Sequence, residues 1–199
     1  MKDVSEFSAS GPDTYSFAEP EHVVTTHLEL DLRVSFEKKQ LSGTATHTIE
    51  RRTPDTDFVL DSRDLQIVKV SQSKDGKNFQ ATTFTLGEKV DPVRGTPLTI
   101  ATSNDAKAVR IEYKTSPSAS ALQWLSPEQT ATKKSPFLFT QSQSIHARSW
   151  IPLQDTPMVR ITYNAKVSVP KGLLALMSAE NPQKLSSDGT YKFLSLIHI

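Results

Sequence analysis

The residues whose types and spacing could do chemistry crowd into one stretch, PFLFTQSQSIHARSWIPLQDTP, from Pro136 to Pro157. Gln141, Gln143, Ser144, His146, Arg148, Gln154 and Asp155 all fall within it, and Pro152 and Pro157 bracket its end. Gln141 and Gln143 are two apart, so on an extended chain they share a face. Their amides can accept from an ammonium and donate to a carbonyl; a solvated strand face would carry the same pattern. Arg148 and Asp155, on either side of Pro152, suit a bidentate bridge that staples the loop, and a direct substrate contact is the other reading. Asp155-Thr156-Pro157 also has turn chemistry, since an aspartate can bond its own backbone two residues on.

Other chemistries fare worse. Ser144, His146 and Asp155 could be imagined as a nucleophile, base and orienter, but no G-x-S-x-G elbow exposes the serine. The histidines are His22, His27, His47, His146 and His198, and none has the H-E-x-x-H spacing of a zinc helix. They read as isolated surface or interior side chains, so no metal site is expected in this chain. Cysteine is absent, which removes disulfides, thiolate metal ligands and a cysteine nucleophile. Lys+Arg 23 against Asp+Glu 22 gives a net charge of +1, no footprint for nucleic acid or an anionic membrane. No apolar run approaches the roughly 20 residues of a membrane helix. The start, MKDVSEFSASGPDTYSF, lacks the apolar core of a signal peptide. A cytoplasmic protein is expected.

The elements that must position the polar stretch read as strands. Leu28, Leu30, Leu32, Val34 and Phe36 alternate with polar residues, the period of a half-buried strand. Leu41, Gly43, Ala45, His47 and Ile49 continue it after Glu37–Gln40, predicting a hairpin. With Phe36 facing Leu41, His47 would oppose Leu30 and His27 would oppose Glu50. Further strands are expected at 58–60, 65–70, 79–86, 98–100, 109–114, 159–168, 173–178 and from 190. Ser71–Asn78, with Asp75-Gly76, reads as a turn. No helical period of 3.6 is found, so the fold class expected is all-β, of sandwich or curved-sheet type. Residues 1–20, rich in Ser, Asp, Pro and Gly, read as a flexible arm. The domain division expected is an arm over 1–14, a β domain over 15–193 and a tail over 194–199.

QSQSIHARSWIPLQDTP followed by VRITYNAKVSVPKGLLALMSA resembles the N-terminal domain of zinc aminopeptidases of the aminopeptidase N type, in the leukotriene-A hydrolase-like branch. LDSRDLQIVKV, ALQWLSPEQT and the hairpin at Leu28–Ile49 support the likeness, which covers about Tyr15 to Phe193. The resemblance implies a saddle-like, mixed β-sheet module that packs in cis on a thermolysin-like catalytic domain. That second domain would hold the zinc, the general base and a G-x-M-E-N loop, none of whose motifs occur in this chain. The N-terminal domain would form one edge of the cleft and carry no catalytic residue.

In the wider family that edge presents a glutamate to the substrate's free α-amino group. In this branch the matching position is glutamine, here Gln143, with Gln141 and Ser144 as neighbours lining the same pocket. Peptides would be the substrates, and the chain alone would be inactive. A stand-alone β-rich binding module is the reading from a different class. Where the family often has cysteine before Gln-Asp-x-Pro, this chain has Leu153. After Phe193 the run LSLIHI departs from the family pattern and reads as a truncated frame or foreign tail, so His198 carries no functional expectation.

Overall fold

Leu28, Leu30 and Leu32 point inward and Glu29 and Asp31 outward, so the period-two run becomes a strand with one dry and one wet face. The computed structural model of the protein describes residues 13–181, 184–187 and 189–194. Its strands are β1 (Val23–Ser35), β2 (Gln40–Arg51), β3 (Phe58–Ser62), β4 (Gln66–Ser73), β5 (Gln80–Ala81) and β6 (Phe84–Leu86). They continue with β7 (Thr96–Ile100), β8 (Ala108–Lys114), β9 (Leu122–Leu125), β10 (Phe137–Thr140), β11 (Thr162–Ser168) and β12 (Tyr191–Leu194). Two 3₁₀ turns, Pro127–Gln129 and Ala147–Ser149, are the helical elements among the described residues. The expected all-β class is what forms, and none of the described helices is long and apolar enough to cross a membrane.

Seven strands make a mixed sheet in the order β12-β11-β1-β2-β8-β4-β5. Its β1–β11 pair is parallel, and β1–β2, β2–β8 and β8–β4 are antiparallel. A three-stranded sheet, β3-β7-β6, lies apart from it in pairing, and β9 and β10 form a separate hairpin. One apolar cluster joins the two larger sheets: Leu28, Leu30, Ile111 and Tyr113 from the first, Phe58, Leu60, Leu98 and Ile100 from the second. Burying one face of each sheet against the other is what makes the two a sandwich. At Gly43 on β2 an added Cβ would sit 1.9 Å from the Asp31 carbonyl oxygen, so the close approach of β1 there requires glycine.

The structure corrects several local expectations. The β1–β2 hairpin forms, but its turn is Phe36–Lys39, closed by Lys39 N–H on the Phe36 carbonyl. The register therefore slides by two: Val34 opposes Leu41, and Leu28, not Leu30, opposes His47. A slide of two preserves the face, so His47 stays inward. A bulge between Thr25 and His27 shifts the remainder, leaving His27 opposite Thr48 and Val24 opposite Glu50. The 79–86 run is two short strands in different sheets, and Thr96-Pro97 lies in β7 instead of a loop. Residues 173–178 form no strand. Ser16, in the stretch read as an arm, is buried. The expectations for residues 1–12, 195–199 and His198 fall outside the described residues.

His47 is buried on the inner face, edge-on to Phe58 at 5.5 Å between ring centroids. Its Nε2 lies 3.0 Å from the Pro152 carbonyl oxygen and its Nδ1 3.1 Å from the Thr25 hydroxyl. A carbonyl only accepts, so Nε2 carries the hydrogen and Nδ1 accepts from Thr25. Burial disfavours the imidazolium and lowers the pKa from 6.5 to about 4, against a smaller upward pull from the Pro152 carbonyl. In the window between those values the unfolded chain holds more protons than the folded one, so stability rises with pH. Urea unfolding across pH is therefore expected to lose about 3 kcal/mol from this residue as pH falls from about 6.5 to about 4. His47→Gln should flatten that part of the profile; an identical slope in the variant contradicts the assignment.

Candidate functional site

The polar stretch divides at His146. Its second half is built around Arg148, whose side chain is wholly buried. Arg148 sits in the 3₁₀ turn Ala147–Ser149, where its guanidinium finds an acceptor in every direction. Nε donates to Asp155 Oδ2 at 3.0 Å, and a second nitrogen donates to the Asp155 carbonyl oxygen at 3.0 Å. The third nitrogen donates to the carbonyl oxygens of Tyr15 at 2.9 Å and Arg94 at 2.8 Å. It also lies 3.5 Å from the fully buried Asp61 carboxylate. The expected Arg148–Asp155 pair is thus present as part of a larger cluster.

Asp61, on β3, is the member that sequence reasoning missed. It accepts from Ser16 Oγ at 2.6 Å, Phe17 N–H at 2.7 Å and Asp155 N–H at 3.0 Å. Burial pushes its carboxyl up, and those donors with the Arg148 charge pull against it. Every partner is a donor, the environment a carboxylate needs. The available signal was an aspartate inside the apolar run FVLDS.

The strap Ile151–Asp155 is stitched to both sheets. Leu153 and Asp61 exchange backbone hydrogen bonds, Asp61 N–H to Leu153 O at 2.8 Å and the return at 3.3 Å. The Pro152 carbonyl receives the His47 N–H described above. Buried Gln154, also unremarked as a structural residue in the sequence, accepts from Thr25 N–H at 2.9 Å and donates to the Val23 carbonyl at 2.8 Å. Its side-chain amide takes the place of a neighbouring strand along the part of β1 that precedes its pairing with β11 at His27.

The first half of the stretch runs out of β10 into a surface loop over 141–146, so Gln141 and Gln143 do not share the strand face expected of them. Gln141 N–H donates to the Ala121 carbonyl at 2.9 Å, one step beyond the β9–β10 ladder, and regular pairing ends there. Ser142 to His146 closes as a turn through His146 N–H on the Ser142 carbonyl at 2.9 Å. Gln141, Gln143 and Ser144 are all exposed. The Gln141 Oε1 accepts the Gln143 N–H at 3.1 Å; among the described residues the Gln143 amide and Ser144 hydroxyl have no partner. The imagined triad is not assembled: His146 Nδ1 pairs with Ser120 Oγ at 2.8 Å, and Asp155 is committed to Arg148.

Zinc does not fit the donors present. Among the described residues no three His, Cys, Asp or Glu side chains converge as metal ligands. His22 pairs with Thr53, His27 with Thr162 and Asn164, and His47 and His146 with the groups already named. What the site offers is an unengaged, neutral amide on a loop whose root is fixed by a buried ion cluster.

The site thus sits at the edge of an all-β domain of two packed sheets. Residues 24–195 match the Peptidase M1 N-terminal domain model, and the chain belongs to that family. The leukotriene A-4 hydrolase of Xenopus laevis is 44% identical over 181 residues, 87% of this chain and 29% of the relative. Leucine aminopeptidase 2 of Yarrowia lipolytica is 36% identical over 185 residues, 92% of this chain and 27% of the relative. The yeast LTA4 hydrolase solved in complex with bestatin superposes with a TM-score of 0.81 at 29% identity, covering 100% of this chain and 31% of that one. The M1 zinc metallopeptidase of Deinococcus radiodurans, at 18% identity and TM-score 0.68 over 92% of this chain and 41% of that one, shares the fold. The chain thus spans less than a third of the length of the curated relatives it matches.

Removing Arg148 would strand the buried Asp61 carboxylate and the partly buried Asp155 carboxylate without their cation. Arg148→Ala is expected to lower the unfolding free energy by about 3–5 kcal/mol, measured by urea denaturation at neutral pH. A loss under about 1 kcal/mol, the scale of an exposed ion pair, contradicts the central role given to it.

Proposed function

We propose that this chain forms the substrate-amine wall of a zinc aminopeptidase cleft. Gln143 would bind the free α-amino group of a peptide, with Gln141 and Ser144 lining the same pocket. The observation that carries the reading is the exposed, unpartnered Gln143 amide on a loop rooted in the Arg148 cluster. Its Oε1 is an acceptor that an ammonium can reach without displacing an internal partner. An acceptor fixed at the end of a cleft lets an enzyme register the first residue of a peptide. The names of the relatives, a leukotriene A-4 hydrolase and a leucine aminopeptidase, support that substrate class.

A glutamine supplies a weaker contact than a carboxylate, because only the ammonium is charged. A carboxylate from the catalytic domain, packed in cis, would complete the amine site. That domain would also hold the zinc, since the donors described above do not. This chain's own part is to bind and orient, and by itself it is inactive. Its lack of cysteine suits the reducing cytoplasm.

The test is Gln143→Ala in the full-length polypeptide, assayed on several peptides. Loss of a hydrogen bond to a charged group corresponds to roughly 10- to 100-fold in kcat/KM. Unchanged kinetics across those substrates would refute the assignment.

A further inference from the structure

The turn that carries Gln143 has a tether that the amine-binding reading leaves unused. Trp150 ends the 3₁₀ turn Ala147–Ser149, with its N–H on the Ala147 carbonyl at 3.0 Å. Its indole packs against both apolar clusters, the main one and the smaller one of Leu41, Ala119 and Leu122. Contact with two separate clusters fixes where the ring lies. Its single polar atom, Nε1–H, then reaches out to Ser142 Oγ at 3.1 Å. An indole N–H in this protein is not paired as a matter of course: Trp124 Nε1 is buried without a partner.

Ser142 directly precedes Gln143. Its hydroxyl accepts from Trp150 and its carbonyl accepts from His146 N–H, while the Gln143 N–H is taken by Gln141 Oε1. The backbone on which Gln143 stands is therefore held, and its side-chain amide is free. Of these tethers only the Trp150 bond ties the turn to a side chain packed against the apolar interior.

We propose that Trp150 is a positioning residue: through its indole N–H and the Ser142 hydroxyl it references the turn presenting Gln143 to the packed interior. The proposal rests on the amine-binding role of Gln143. A side chain swinging on an untethered turn would spend part of its time away from the ammonium, so losing the tether weakens substrate binding without touching substrate. Trp150→Phe keeps a smaller aromatic ring and removes the donor; Ser142→Ala removes the acceptor.

The test measures kcat/KM on an aminoacyl anilide in the full-length polypeptide for both single variants, their combination, and each combined with Gln143→Ala. Each single variant is expected to lose about fivefold, the scale of one hydrogen bond. The combination should lose no more than either alone, and neither should add to Gln143→Ala. Ser142→Thr, which keeps the acceptor, should restore activity. Additive losses, or the same loss in the Gln143→Ala background, overturn the proposal by showing general structural damage. If Gln143→Ala itself changes nothing, the amine reading fails separately. The tether is then judged in the 199-residue chain by the Trp150 indole N–H resonance. Ser142→Ala should shift it and speed exchange of the His146 amide, and an unmoved resonance and unchanged exchange overturn the tether.

Discussion

A guanidinium sealed from water must find an acceptor for each of its N–H groups, or its burial costs more than a domain can spare. Arg148 imposes that demand here: four of its five N–H groups donate to the segment before β1, the β6–β7 loop and the strap after the 3₁₀ turn, and β3 adds the Asp61 charge. Three of the partners are backbone carbonyls or Asp155, whose positions follow from where the chain runs. The cluster therefore constrains path as much as it supplies energy. Asp61 ties the same point into the smaller sheet and receives the N-terminal segment through Ser16 and Phe17.

That constraint gives the polar stretch a division of labour. Residues from Arg148 to Asp155 turn inward and fasten the two sheets together: Ser149 accepts from Ala121 N–H at 3.0 Å, while Gln154 and the Pro152 carbonyl engage β1 and β2. Gln141, Gln143 and Ser144 face outward, and among the described residues the Gln143 amide and Ser144 hydroxyl hold no internal contact. The role proposed for Gln143 calls for such a rigid root, because a contact that must meet a substrate atom within tenths of an ångström cannot be carried on mobile chain. Identical residue types serve opposite ends: Gln154 is spent inside, and Gln143 is left available.

The strands with long two-residue periods were legible, because alternating burial leaves its mark on every residue. β1, β2, β8 and β11 are of this kind. The hairpin of β9 and β10 was not, since four-residue strands carry too little pattern. Residues 173–178 mislead for a physical reason. Ala175 and Met177 pack on the core while Leu174 and Leu176 face out, so the chain alternates as a strand does but pairs with no strand among the described residues. At the site, the Arg148–Asp155 pair could be read because the partners are near in sequence. Asp61 could not, because its donors come from residues 44 and 45 positions away, and Gln154 could not, because its partners lie 129 and 131 positions away. The register slipped by two because the turn residue Lys39 takes a left-handed conformation, φ 47°, that its type does not advertise.

The sequence spread of the Arg148 partners bears on the order in which the molecule assembles. Tyr15 lies 133 residues from Arg148 and Arg94 lies 54, so the cluster closes only after large loops have been drawn together. Contacts of that separation are slow to form. Until they do, a cation and two carboxylates compete for water with the collapsing sheets. The β1–β2 hairpin closes locally, whereas capture of the segment before β1 by Asp61 and Arg148, like the parallel β1–β11 pair, joins distant parts of the chain, and it couples that segment to the loop that would meet a peptide.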